Sequence, residues 1–326
     1  MLLTRNGWTS RFALILIGCA AGLLAAEGVC RLWVPRLDFE NLKVKNWPNP
    51  EIFRPSSILP FELAPNIPHF SNSLGMRDKE RAIAKPAKTS RIIFLGDSIA
   101  MYGHFIDMMD QRLGRLFPGL YEVWNCSVGG FGIRDYAVMM LEKIPRYKPD
   151  LVVVAFCLND LDATPVMYYD TKGQLNCYWP IPGIPTALDF WLYKHSYAYR
   201  RYLEARAKLR ANDPPWDAIA TGEKSLSIME RESARMGAPL RAVVFPWLKP
   251  DAEWSADERR SYRNITALLK GRRIPYLDLL KTYPSARRRD FRRDPEDPIH
   301  TNEAGDRLAA AAILRFLGEQ GFVPRK

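Results

Sequence analysis

The run Leu151-Val152-Val153-Val154-Ala155-Phe156 is apolar at every position, and a strand that is apolar at every position must bury both of its faces. It belongs to a series of short β-rich runs that alternate, from Arg91 onward, with amphipathic helical stretches. The pattern predicts strands at 91–95, 121–128, 151–156, 240–245 and 275–280. Helices are predicted at 105–116, 133–144, near 216–236, at 256–269 and at 303–317. Such an order requires a mainly parallel sheet with helices on both faces, an architecture that places ligands at the carboxyl ends of its strands. Residues 161–215 interrupt the alternation with aromatics and prolines, including Tyr168-Tyr169, Trp179-Pro180 and Trp191, and read as an insertion. No internal repeat is visible.

The chain begins differently. Arg5 and Arg11 precede an apolar run from Phe12 to Ala26, and extension through Leu32-Trp33-Val34 reaches the length of a spanning helix. Residues 1–34 are therefore read as an uncleaved signal anchor. The alternatives are a cleaved signal peptide, for which the small residues from Ala20 to Ala26 speak, and a lipoprotein box at Leu16-Ile17-Gly18-Cys19, against which the apolar residues after Cys19 argue. Arg31, Arg36, Lys43 and Lys45 rival the charges before the run, so the positive-inside rule leaves orientation open. Residues 35–90, rich in proline, read as an extended linker or loose cap, and 91–326 as the main domain.

Net charge is +11 over 326 residues, which admits an anionic partner without choosing one. The basic residues are scattered and no nucleic-acid fingerprint is present, so a nucleic-acid partner is not expected. Five cysteines without a CxxC pair indicate neither a zinc site nor a disulfide framework.

The chemistry concentrates at two places. Ile92-Ile93-Phe94-Leu95 runs into Gly96-Asp97-Ser98-Ile99, setting Ser98 at a strand's carboxyl end on a tight glycine turn, where a nucleophile belongs. A serine hydroxyl needs a base, and the four histidines are His69, His104, His195 and His300. His300 is the best placed, in Asp297-Pro298-Ile299-His300 between the last strand and the last helix. Three residues on one turn bring side chains within about 5–6 Å at Cβ, close enough for Asp297 to orient the imidazole. Gly-Asp-Ser is also a common turn, and Asp-Pro a common helix start. His104 reads as a helix-end residue, and His195 as packed within the insertion. Cys126 and Cys157 read as buried thiols. The run Arg287-Arg288-Arg289-Asp290-Phe291-Arg292-Arg293-Asp294 is either a solvated loop or a means of drawing an anionic substrate to the site.

With two intermediate segments the set resembles the SGNH (GDSL-type) hydrolase superfamily. Gly96-Asp97-Ser98-Ile99 is similar to its first block, Asn125-Cys126-Ser127-Val128-Gly129-Gly130 to the second, Cys157-Leu158-Asn159-Asp160 to the third, and Asp297-Pro298-Ile299-His300 to the fifth. The resemblance covers about 91–317; Cys157 departs from it, standing where the family has glycine. It implies a three-layer α/β/α, flavodoxin-like fold and a Ser98-His300-Asp297 triad. An oxyanion hole of the Ser98 and Gly130 amides and the Asn159 side chain is implied as well. Losing one such donor costs about 3 kcal/mol of barrier.

The expectation is a serine esterase working through an acyl-enzyme, without metal or organic cofactor, on an ester-bearing small molecule, lipid or acylated glycan. An O-acyltransferase of envelope polysaccharide with the same triad, and a non-catalytic envelope-binding module, are the rival readings. The anchor suggests a bacterial cytoplasmic membrane protein with its catalytic domain outside the cytoplasm. The insertion is expected to set acyl specificity.

Overall fold

The computed structural model describes residues 6–33, 52–54, 56–161, 166–169, 175–178, 184, 188, 191–192, 195–202 and 217–325. The chain divides into two compact units, one of Met1–Trp47 with Tyr169–Pro215, the other of Pro48–Tyr168 with Trp216–Lys326.

In the first unit, helix α1 (Asn6–Trp33) contains a 22-residue apolar stretch, Arg11–Leu32, about 33 Å long at 1.5 Å per residue and enough to cross a bilayer. Its Glu27 carboxylate accepts hydrogen bonds from Ser196 Oγ (2.8 Å) and from the amides of Tyr197 (3.1 Å) and Ala198 (3.0 Å). Arg31 holds the same carboxylate at 2.8 Å and its guanidinium lies 5.5 Å from the Tyr197 ring. His195 stacks on Trp191 and is exposed. Trp179 and Pro180 lie outside the described residues, as do Arg36, Lys43 and Lys45.

The second unit opens with a two-residue antiparallel pair, β1 (Phe53–Arg54) and β2 (Glu62–Leu63). The central sheet follows, of β3 (Ser90–Gly96), β4 (Tyr121–Asn125), β5 (Leu151–Phe156), β8 (Leu240–Val244) and β9 (Tyr276–Asp278); strands β6 (Val166–Tyr169) and β7 (Leu175–Tyr178) of the interruption are not part of it, and β7 falls in the first unit. Five strands pair in parallel in the order β4-β3-β5-β8-β9. Numbered within the sheet that is 2-1-3-4-5, the flavodoxin-like order, whose switch point lies between β3 and β5.

Helices α2 (Ser98–Tyr102), α3 (Phe105–Leu116), α4 (Ile133–Glu142), α5 (Ala218–Met236), α6 (Ala256–Gly271) and α7 (Glu303–Glu319) complete the layers. Ile92 and Phe94, with Val153, Ala155 and Val243, share one core with Phe105 and Met109 of α3 and Ile313 and Leu317 of α7. The alternate residues Ile93, Leu95, Val152 and Val154 point to the opposite face by the period of a strand and are equally buried. There Tyr136 of α4 meets Phe156 edge-on at 6.0 Å. Both faces of the sheet are thus dry, as the continuous apolar runs require.

Several boundaries are shorter than the apolar pattern alone implies. Strand β4 stops at Asn125, whose side chain accepts the Ser127 amide and donates to Ala100 O, a local turn that competes with the ladder. Helix α4 ends at Glu142 because Pro145 follows and disfavours helical geometry at Ile144. Strand β9 is cut at Asp278, whose carboxylate caps Leu280 N and opens a 3-10 turn.

At the amino end of the sheet, Arg91 is fully buried. Its guanidinium donates to Glu122 (2.8 Å) and to the carbonyls of Tyr147 (2.6 Å), Ile83 (3.0 Å) and Ala82 (3.1 Å), and lies 4.1 Å from the Trp124 ring. Removing it leaves the part-buried Glu122 carboxylate with only Trp124 Nε1 (3.1 Å) and takes the donor from three carbonyls at once. Arg91→Ala is expected to lower unfolding free energy by about 3 kcal/mol or more, measured by urea titration of the full chain; a loss under about 1 kcal/mol would mean that solvent replaces these bonds.

Candidate active site

Strand β3 delivers Ser98 by a close approach. A Cβ on Gly96 would stand 2.7 Å from Ala100 Cβ and 3.0 Å from Ala155 O, so only glycine lets the chain turn from β3 into α2 against β5. Asp97 then caps α2, its Oδ1 accepting Ile99 N at 2.9 Å. Ser98 becomes the first residue of that helix.

Ser98 Oγ lies 2.8 Å from His300 Nε2, and His300 Nδ1 lies 2.7 Å from Asp297 Oδ2. The other oxygen of Asp297 accepts the amides of Ile299 (2.9 Å) and His300 (3.1 Å). One carboxylate therefore shapes the turn and orients the ring. Partial burial works against its charge, but these two amides and the imidazole outweigh it and hold its carboxyl below the usual range. An ionised Asp297 assigns the proton to Nδ1 and leaves Nε2 to accept from serine. Tyr102, the last residue of α2, meets the His300 ring edge-on at 5.9 Å.

Asp306 of α7 locks the two halves of this arrangement. It is fully buried and accepts His104 N at 2.8 Å and the hydroxyl of Thr301. The loop after α2 and the residue after His300 are thereby tied to one carboxylate. His104 N-caps α3 without a side-chain cap bond, His69 lines a cleft with Phe70 and Arg77, and His195 belongs to the first unit, its Nδ1 2.8 Å from Trp191 O.

Gly130 follows β4 with φ +79°, a left-handed turn that glycine adopts without strain. Asn159 follows β5 in a turn held by Asp160, whose carboxylate accepts Cys157 N (3.0 Å) and Tyr136 Oη (2.9 Å). Cys157 fills the family's glycine position, buried, with burial pushing its thiol up. Cys126 is likewise buried and raised, beside Met76. Neither thiol has the electropositive, accessible surroundings of a reactive cysteine. Among the described residues no group of three or more potential metal ligands occurs.

Asp97, Tyr102, Asp160 and Asp306 shape this region in ways the spacing of motifs does not reveal. Asp97 and Asp160 lie within the Gly96–Ile99 and Cys157–Asp160 segments; Tyr102 and Asp306 carry no sequence signal.

The sequence matches the GDSL-like Lipase/Acylhydrolase family over residues 94–308, and the chain belongs to that family as a GDSL-type esterase. No functionally curated protein matches it. Its fold is similar to a catalytic mutant of Axe2, an acetylxylan esterase from Geobacillus stearothermophilus (16% identity, 72% of this chain, 97% of that one, TM-score 0.46). It is also similar to LAE5, an α/β hydrolase from the metagenome of Lake Arreo (17%, 72% and 97%, TM-score 0.47), and to TesA (15%, 71% and 99%, TM-score 0.45).

Asp97 is buried, and desolvation pushes its carboxyl up to about 6 against the bond from Ile99 and the nearby His300. Its folded value exceeds the unfolded one, so between about pH 4 and 6 the native chain keeps a proton the unfolded chain has lost. Stability from this group falls as pH rises through that window. Asp97→Asn keeps an oxygen for Ile99 N and removes the titration. Its melting temperature relative to wild type should improve between about pH 4.5 and 7.5; a constant difference would mean that Asp97 titrates as it does unfolded.

Proposed function

We propose that Ser98, His300 and Asp297 are a catalytic triad that hydrolyses carboxylic esters through an acyl-enzyme. The observation that carries this reading is the unbroken relay of 2.8 Å from Ser98 Oγ to His300 Nε2 and 2.7 Å from His300 Nδ1 to Asp297. His300 takes the serine proton as Oγ attacks the carbonyl carbon, and returns it to the departing alkoxide. Water, deprotonated by the same imidazole, then releases the acid and restores Ser98.

The oxyanion is proposed to lie against the Ser98 amide, the Gly130 amide and Asn159 Nδ2. In support, the Gly130 amide has no backbone hydrogen-bond partner among the described residues, and Asn159 Oδ1 is buried without one, so the carboxamide is not tied up locally. Each follows a strand that pairs with β3 itself, and donors held in place beforehand cost no reorganisation when charge develops.

Helix α1 is proposed as a retained anchor in a bacterial cytoplasmic membrane, with the catalytic domain outside the cytoplasm. The bonds from Ser196, Tyr197 and Ala198 to Glu27 favour retention over removal, since cleavage after Ala26 or earlier would detach the carboxylate from its intact helix. The substrate class is an ester-bearing small molecule, lipid or acylated glycan.

The full chain in detergent, with p-nitrophenyl acetate and butyrate and a fluorophosphonate label, tests the triad. Wild type should label and turn over, and Ser98→Ala should do neither. Asn159→Ala should lose about a hundredfold or more in kcat with a much smaller change in KM. A folded wild type that neither labels nor hydrolyses would leave a binding module as the better reading.

A further inference from the structure

The run of arginines before the catalytic aspartate divides sharply by partner. Arg287 pairs with Asp290, buried Arg288 with Asp251 and Arg289 with Glu253, while Arg292 donates to the carbonyls of Leu248 and Pro295. These four have structural work. Arg293 differs, for its amide donates to His300 O and its Nη2 to Tyr102 O at 2.9 Å, and among the described residues it forms no ion pair, Asp306 acting on it only at longer range.

A second arginine meets the same tyrosine from a distant part of the chain. The Arg77 guanidinium lies 5.3 Å from the Tyr102 ring centroid and 5.4 Å from that of Phe70, with Nη1 donating to Met101 O at 2.6 Å. Arg293 lies 5.6 Å from the Tyr102 centroid. Asp107 and Asp306 act on Arg77 only at longer range; neither forms an ion pair with it. Two cations thus share one aromatic ring, and that ring touches the His300 imidazole. Their mutual repulsion is offset by the ring, by two carbonyls and, at longer range, by Asp107 and Asp306. Burial and the charge of Arg293 both depress the Arg77 guanidinium. Arg77 also lines a cleft of about 310 Å³ with Phe70, Met101 and Gly103, together with Lys79 and the carboxylates of Asp78, Glu80 and Asp107.

We propose that Arg77 and Arg293 form an oxyanion-recognition subsite beside the triad, so that the preferred substrate is an ester bearing a carboxylate or phosphate. The planar guanidinium fork matches either group through paired N–H bonds, and a bound anion would supply the close ion pair that neither guanidinium has among the described residues. The proposal rests on the esterase reading above.

The test compares acetyl esters of matched shape on the full chain in detergent: 3- and 4-acetoxybenzoate and 4-acetoxyphenyl phosphate as anions, 4-acetoxybenzamide as the neutral reference. The readout is the ratio of kcat/KM for anion over amide within each protein, so any general loss of activity in a variant cancels. Wild type should prefer at least one anion by about tenfold or more, and the favoured anion identifies carboxylate or phosphate. Arg293→Gln and Arg77→Gln should each bring that ratio down severalfold. In wild type, added sodium chloride should lower the rate with the anionic ester and spare the amide. A wild type that labels with fluorophosphonate but shows a ratio near one for every anion, or variants that keep the wild-type ratio, would overturn the subsite alone. Failure to label would instead overturn the esterase reading beneath it.

Discussion

The parallel pairing of β3 with both β4 and β5 is the constraint on which the rest of this protein depends. Ile92 is level with Val123 on one side and Leu151 on the other, so the carboxyl ends of three strands finish side by side. From them leave the segments carrying Ser98, Gly130 and Asn159. The sheet has no wet face, and every residue from Arg91 to Gly96 is buried. A shift of register would therefore expose apolar area on the order of 25 cal/mol per Å², and the edge that gathers the site is as firmly held as the core.

Burial at the two ends of β3 is handled in opposite ways. Arg91 at the amino end is surrounded by acceptors, as a buried guanidinium must be. Asp97 beyond the carboxyl end has fewer compensating bonds, and its carboxyl rises to about 6. Asp297, with two backbone amides and a ring N–H, is held low instead. Two carboxylates near one imidazole are thus driven apart in acidity by their surroundings. That separation is how otherwise identical groups come to do different work.

The basic loop shows why a count of charges says little about function. Three of its arginines are answered by carboxylates and one by carbonyls, and they fasten the segment that presents Asp297 and His300. Only Arg293 is left with an aromatic ring as its main company. The same loop therefore builds the site and sets a cation beside it, held by the Tyr102 carbonyl.

Much of the architecture was legible from sequence because it rests on local rules. Continuous apolar runs demand a doubly covered parallel sheet, and glycine before Asp97-Ser98 demands a tight turn at a strand end. The three-residue spacing of Asp297 and His300 permits the contact seen at 2.7 Å. Strand and helix ends were less legible, because the caps at Asn125 and Asp278 and the effect of Pro145 act over two or three residues against a periodic signal. Tertiary structure alone decided what depends on distant segments meeting. Asp306 reaches back to His104 across 202 residues of chain, and Arg77 and Arg293 converge on Tyr102 from opposite parts of it. No periodicity encodes such meetings, since they follow from the order in which the strands are laid into the sheet.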